Sequence, residues 1–297
     1  MSKQQNQTKQ HFIKNADGWQ DKAEKTAKTD AVIQERSNAV LCVLKTLEKA
    51  DSFLDVGCGT GHLVLAVSTQ GITSLGVDFS EKMIEICEQN HKKSAPEAPA
   101  KFQCASFFDI PVEENKYDVI SAQGFIEYIS KDELEEFFSR CAIMLRKNGA
   151  LVLGSRNRLF NVFSLNEFTV MERQLGTLDS LISEAIVFRA NSSVKTAIQN
   201  IKPLEQPLEH PDLHPSSDVK VDTRFQYAPS ELIFLMRKYG FSPECIYPIN
   251  FHCFATSLKT DFHDIHIQMS EKMNTLSPTD PRLIPQASTF VLDMRKR

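Results

Sequence analysis

Phe53-Leu54-Asp55-Val56-Gly57-Cys58-Gly59-Thr60-Gly61-His62 is the stretch on which the rest of the chain depends. An apolar run that ends beside an acidic residue has the pattern of a buried strand. Three alternating glycines and then Leu63-Val64-Leu65 have the pattern of a tight turn into a helix. Glycine permits the backbone angles such a turn needs, and its missing Cβ lets a ligand approach closely. The helix start beyond it offers N–H groups that no intrahelical carbonyl satisfies. Glycine loops also occur in purely structural turns, so the spacing and the neighbours have to narrow the ligand. The dinucleotide spacing G-x-G-x-x-G is not met, because its third glycine position holds His62 counted from Gly57 and Val64 counted from Gly59. Asp55 places a carboxylate beside the loop, which repels a pyrophosphate and suits an ammonium or a sulfonium.

Outward from this motif, short apolar runs alternate with amphipathic ones. The pattern predicts strands near 52–56, 73–78, 100–104, 117–122 and 149–155, with helices near 61–70, 80–93 and 131–146. Ser80 and either Ser130 or Asp132 are helix-start residues, and Gly149 follows the last of these helices. Strand–helix–strand order repeated this way predicts a doubly wound α/β fold, a parallel sheet covered on both faces. Upstream, residues 1–10 read as a frayed end, followed by helices over about 11–28 and 30–49, the second capped by Asp30. Downstream of Ser155 the rhythm changes. Residues 156–226 show no strand pattern; a helix is expected near 165–187, and Pro203–Pro215 is expected to be loop. The alternation resumes at Pro229 with a helix to about Tyr239, a strand near 243–250, a helix near 262–274 and a last strand near 287–294.

A chain of 297 residues can bury a full α/β core and still supply a lid. At 41% hydrophobic and 24% charged residues it is neither disordered nor collagen-like. The net charge of -4 carries no footprint for nucleic acid, and Arg295-Lys296-Arg297 reads as a solvated terminus. Seven cysteines, an odd number with no C-x-x-C pair, fit a reducing compartment. No apolar run reaches the roughly 20 residues of a membrane helix, and Met1 to Gln10 is polar. The expectation is a cytoplasmic protein with no membrane partner. Cys42, Cys87, Cys104 and Cys141 lie among apolar neighbours and are expected to be buried. Cys245, His252 and Cys253 come nearest to a metal cluster but lack a fourth ligand, so no metal is expected.

Gly76-Val77-Asp78-Phe79-Ser80 ends the second strand on another acid. There a carboxylate can accept from both ribose hydroxyls; alone, Asp78 would read as a helix cap. The ligand described is a nucleoside with an amino-acid tail and no phosphate, and S-adenosylmethionine (SAM) fits. From about residue 50 to 155 the chain resembles the class I SAM-dependent methyltransferases, whose first motif Leu54-Asp55-Val56-Gly57-Cys58-Gly59-Thr60-Gly61 matches. The resemblance implies a seven-stranded Rossmann-like sheet with the last strand antiparallel and an insertion before the sixth strand. It divides the chain into an N-terminal helical segment, 1–49, and a methyltransferase domain, 50–297, with 156–226 as a substrate-side lid. It implies that the loop residues Gly57, Cys58, Gly59 and Gly61, with Asp55, hold the methionine part, and that Asp78 holds the ribose. Phe79 and Met83 would then line the adenine and Ser106-Phe107 edge it, with Ser106 standing where many relatives have Asp. Gln123-Gly124-Phe125-Ile126-Glu127-Tyr128-Ile129 follows the fourth strand, where relatives place residues beside the methyl donor. It is similar to the Leu-Glu-His stretch of the ubiquinone-pathway O-methyltransferases, with Tyr128 in place of His.

Methyl transfer from a sulfonium is an in-line displacement, so a base is needed only for a protonated nucleophile. Tyr128, His214 and Glu127 are the candidate bases, with His210 beside His214 in the Pro-rich stretch. Arg156 and Arg158 stand at the carboxyl edge of the fifth strand, and Arg224 with Tyr227 forms a second such pair. These four are the candidate acceptor-binding residues, each with a structural alternative as a cap or an internal ion pair. Phe12 and Trp19 either close over the cofactor or staple the first helix. The function expected is methyl transfer to a small-molecule acceptor, oxygen first. The alternatives are a nitrogen acceptor, RNA or protein methylation, and a non-catalytic SAM-binding scaffold.

Overall fold

A computed structural model describes residues 31–204, 206–213, 220–259, 261–276 and 278–297. The helix expected over 11–28, with Phe12 and Trp19, and the candidate base His214 lie outside the described residues. The chain divides into two compact units. One holds the residues up to Gly154 with Glu209–Phe225 and Arg295–Arg297, and the other holds Ser155–Leu208 with Gln226–Met294.

The first unit opens, among the described residues, on α1 (Ala31–Thr46), which buries Ala39, Val40, Val43 and Leu44 at helical spacing. The alternation follows as β1 (Ser52–Val56), α2 (His62–Ser68), β2 (Thr73–Asp78), α3 (Glu81–Ser94), β3 (Ala100–Cys104), β4 (Tyr117–Gln123), α4 (Lys131–Met144) and β5 (Leu145–Arg156). The caps fall where the sequence puts them. Ser80 Oγ accepts from the Met83 N–H, and Ser130 exchanges bonds of 3.3 and 2.8 Å with Glu133 in a capping box. Strand β1 lies parallel between β2 and β4, and Phe53, Leu54 and Val56 on it are fully buried. Burying one such side chain contributes roughly 1.5–3 kcal/mol. Asp118 anchors the start of β1, accepting from the Asp51 and Ser52 N–H groups and the Ser52 hydroxyl at 2.7–3.0 Å. Strand β5 begins at Leu145, four residues before the expected start. The stretch taken for a turn is an irregularity within the strand, with Asn148 at φ 63°.

In the second unit the single helix expected over 165–187 is replaced by shorter ones. These are α5 (Asn161–Ser164), α6 (Glu167–Gln174), α7 (Leu178–Ala190) and α8 (Val194–Gln199). Leu165 at φ 50° ends α5, Asn166 caps α6, and Gly176 at φ 71° separates α6 from α7. A strand pair corrects the expectation that 156–226 holds none: β6 (Leu208–Leu213) and β7 (Lys220–Gln226) form a two-stranded sheet. Pro211 is tolerated because both strands of such a ribbon are edges. Then come α9 (Pro229–Arg237), β8 (Phe241–Phe251), α10 (His263–Leu276) and β9 (Ala287–Lys296). The main sheet has the order β3-β2-β1-β4-β5-β9-β8, seven strands. The end of β8 meets the start of β9, with the His252 N–H on the Gln286 carbonyl at 2.7 Å and Asn250 Nδ2 on Ser288 Oγ at 2.7 Å. The last strand therefore runs antiparallel. Cys42 and Cys104 are exposed, contrary to expectation, whereas Cys87 and Cys141 are buried. Among the described residues no helix is long and apolar enough to cross a membrane, and no group of three His, Cys, Asp or Glu side chains could hold a metal ion.

Candidate functional site

Parallel strands β1, β2 and β4 end at one edge of the sheet, and the register sets Asp55 beside Gly76 on one side and Ser121 on the other. The glycine loop leaves β1 at this edge with Gly57, Gly59 and Gly61 all at positive φ (70°, 54° and 79°). A Cβ at Gly61 would meet the Phe102 ring at 2.8 Å and Cys87 Sγ at 2.9 Å, whereas one at Gly59 would meet nothing within 4 Å. Gly61 is therefore a packing glycine and Gly59 faces open space. The N–H groups of the loop are used internally. Gly57 and Cys58 donate to the Val77 carbonyl, Gly61 donates to the Cys58 carbonyl, and Gly59 donates to Asp78 Oδ2 at 3.1 Å. Helix α3 holds the loop from beneath, with Cys87 Sγ on the Gly59 carbonyl and Asn90 Nδ2 on the Thr60 carbonyl. The Cys58 side chain contributes to this underside. Its thiol is pushed well up, first by a hydrogen bond with Cys87 and then by burial, so only its backbone belongs to the ligand side.

Asp55 is 4% exposed, and its Oδ1 has no hydrogen-bond partner among the described residues. Burial lifts its carboxyl to about 7 against a hydrogen bond from Ser121, and the charge of Asp78 adds to the rise. Gln123 stands alongside. Its Nε2 donates to the Val152 carbonyl at 3.0 Å and to Ser121 Oγ at 3.3 Å, while its Oε1 is buried without a donor. A Cβ at Gly154 would overlap that oxygen, so only glycine on β5 leaves room for it. Asp78 closes β2 with Oδ1 accepting from the Ser80 N–H at 2.9 Å and Oδ2 from Gly59. It thus acts as both loop tie and turn cap.

Around this edge Phe79 is half-buried and Met83 is buried. Ser106 shapes the turn after β3, its hydroxyl accepting from the Phe108 N–H at 3.4 Å. Phe107 corrects an expectation. Its ring is 3% exposed and packs into the core at 5.1 Å from Phe137 and 5.5 Å from the Arg140 guanidinium. The rings left half-buried are Phe108 and Phe125, 6.4 Å apart, and Phe125 lies 3.3 Å from where a Gly57 Cβ would be. A sequence reading has no signal for preferring Phe108 to Phe107, since only burial distinguishes them.

The structure brings together three residues expected to serve separately. Arg224 on β7 donates through Nε and Nη2 to Glu127 Oε2 at 3.0 and 2.6 Å, and its guanidinium lies 5.2 Å from the centre of the Tyr128 ring. Arg36 on α1, which sequence reasoning missed, approaches Glu127 Oε1 at 3.5 Å. Glu127 is 1% exposed and lies between two guanidinium groups. Arg224 is correspondingly an internal partner.

In the second unit Arg158, a candidate acceptor-binding residue, is held among internal partners. It grips both oxygens of Glu172 at 2.9 Å, Glu231 Oε1 at 2.8 Å and the Gln206 carbonyl. Glu231 is lifted to about 8 and Glu184 to about 7, in both cases by burial first. Arg156 lies over the Phe168 ring at 5.4 Å, and Tyr227 is 2% exposed with its carbonyl on the Arg158 N–H. His210, expected on an exposed loop, is 1% exposed on β6 in the first unit.

Residues 53–149 match a family model described as a methyltransferase domain. Among curated proteins, the chain is 31% identical over 112 residues to a ubiquinone biosynthesis O-methyltransferase of Bradyrhizobium diazoefficiens, covering 38% of this chain and 42% of that one. The chain thus spans less than half the length of that relative. Among solved structures, magnesium protoporphyrin IX methyltransferase from Synechocystis with bound SAH superposes with a TM-score of 0.58 at 13% identity, covering 99% of this chain and 100% of that one. A 1,6-didemethyltoxoflavin-N1-methyltransferase of Burkholderia thailandensis superposes at 0.56 with 13% identity, covering 98% and 88%. At such identities the likeness concerns the fold.

Proposed function

We propose that this chain, whose residues 53–149 match the model of a methyltransferase domain, is a class I enzyme that transfers a methyl group from SAM to a small-molecule acceptor. The observation that carries this is the buried, unpartnered Oδ1 of Asp55 beside a loop whose Gly59 faces open space. A buried acceptor atom without a donor is destabilising by about 1–3 kcal/mol, and a ligand ammonium would satisfy it. The residues fit the cofactor on that ground. Asp55 and Gln123 would hold its amino-acid end, Asp78 its ribose, and Phe79, Met83 and Phe108 its adenine.

When bound, SAM supplies a methyl carbon on a positively charged sulfur, a good leaving group. The chain's task is then to hold the nucleophile in line and exclude water, for which Phe125 and Tyr128 provide apolar surface. Glu127, fixed by Arg36 and Arg224, holds the Tyr128 turn in place and accepts no proton in the reaction. The site therefore suits an acceptor that brings its own lone pair, or an acidic hydroxyl such as a phenol. Resemblance to O-methyltransferases favours oxygen; the N1-methyltransferase of like fold keeps nitrogen as the second choice.

The test is methyl transfer from labelled SAM to a panel of phenols, alcohols, carboxylates and amines. Labelled product with a small acceptor supports the proposal. Label transferred only to protein or RNA would overturn the acceptor class, and SAM binding without turnover on any acceptor would favour a scaffold.

A further inference from the structure

Resting on the SAM-binding role proposed above, we infer that Asp55 carries a proton in the unliganded protein and gives it to solvent when the cofactor's ammonium group enters, so that cofactor binding is coupled to proton release. The geometry is a buried carboxyl oxygen with no donor, next to a second carboxylate. Asp55 Oδ1 and Gln123 Oε1 are both buried and without a donor. Ser121, between them in the strand register, accepts from Gln123 Nε2 and has one hydroxyl hydrogen to give to Asp55.

The titratable groups that act on Asp55 do not relieve it. Asp78, from the end of β2, repels a negative charge there, and the Cys58 thiol of the loop, pushed well up, stays neutral and supplies no counter-charge. From β4 and β5 the neighbours are Ser121, Gln123 and the Val152 carbonyl, all uncharged. A buried carboxylate beside a second carboxylate is stabilised by protonation. The lift of its carboxyl to about 7 is in the same direction. Entry of an ammonium ion reverses the balance: the O–H bond of the carboxyl breaks, its proton leaves to buffer, and a carboxylate–ammonium pair forms.

Titration calorimetry of the full chain with SAM at pH 6.5, in buffers of differing ionisation enthalpy, measures the protons exchanged. An α-amino group of ordinary pKa is protonated at that pH, so it contributes little. A carboxyl of about 7 predicts release of about three-quarters of a proton per SAM bound, and affinity about eightfold tighter at pH 6.5 than at 5.5. Asp55→Asn, neutral throughout and without the carboxylate–ammonium pair, should bind more weakly, with no proton release and a flat pH dependence. SAM binding whose heat is independent of buffer overturns the inference and leaves the proposed function standing. Absence of SAM binding from folded protein overturns that function, and the inference with it.

Discussion

Gly59 and Gly61 stand two residues apart in one loop, yet their substitutions should fail differently. A Cβ at Gly61 meets Phe102 and Cys87 at 2.8–2.9 Å from a backbone at φ 79°. Gly61→Ala is therefore expected to destabilise the protein by about 2–4 kcal/mol, read in chemical denaturation. Gly59→Ala meets no atom, so it should cost only about 1 kcal/mol of backbone strain while weakening SAM binding at least tenfold. Equal loss of stability in both variants would contradict the open space assigned at Gly59. The glycines and both acids were legible in the sequence, because the strand–acid–glycine order is local. Which ring faces outward was not. Phe107 and Phe108 are adjacent and alike, and the packing of Phe107 against Phe137, thirty residues away in sequence, decides between them.

At the scale of the element, the β6–β7 ribbon shows where periodicity could have been followed further. Val221, Thr223 and Phe225 alternate with Asp222 and Arg224, a strand pattern masked by the Pro- and His-rich run before it. The ribbon brings Arg224 to Glu127, a pairing 97 residues long in sequence that no local pattern reveals. Arg224→Met removes one partner of a buried pair and is expected to destabilise by about 3–5 kcal/mol. The double variant Arg224→Met with Glu127→Gln should recover part of that loss, since it no longer leaves a buried carboxylate short of its strongest partner. A strictly additive double variant, measured by denaturation, would show that the two residues act independently. The helices of the second unit were legible in composition but not in number. Gly176 sits within an apolar pattern long enough to suggest one helix, and its positive φ breaks it into two.

For the molecule as a whole, buried carboxylates set the response to pH. Glu184 and Glu231 are raised from 4.5 to about 7 and about 8, so between those values the folded chain binds more protons than the unfolded one. The stability these groups contribute is therefore greatest below about pH 4.5 and is lost as pH rises through 7 and 8. Glu184→Gln is expected to remove its share of that slope, on the order of 3 kcal/mol across the window. An unchanged slope in denaturation curves between pH 5 and 8 would place the titrating group elsewhere. The alternating order from β1 to β5 was legible, because each strand–helix unit closes on its sequence neighbours. The acceptor side was not. Arg158 and Arg224, read singly as ligand groups, pair with glutamates that no local pattern joins to them.

The most direct test of the account is calorimetric titration of the purified chain with SAM, with NAD and NADP alongside. Saturable, micromolar binding of SAM and none of the dinucleotides is expected, since the loop lacks the dinucleotide glycine spacing. Binding of NAD or NADP, or no binding of SAM by well-folded protein, would contradict it.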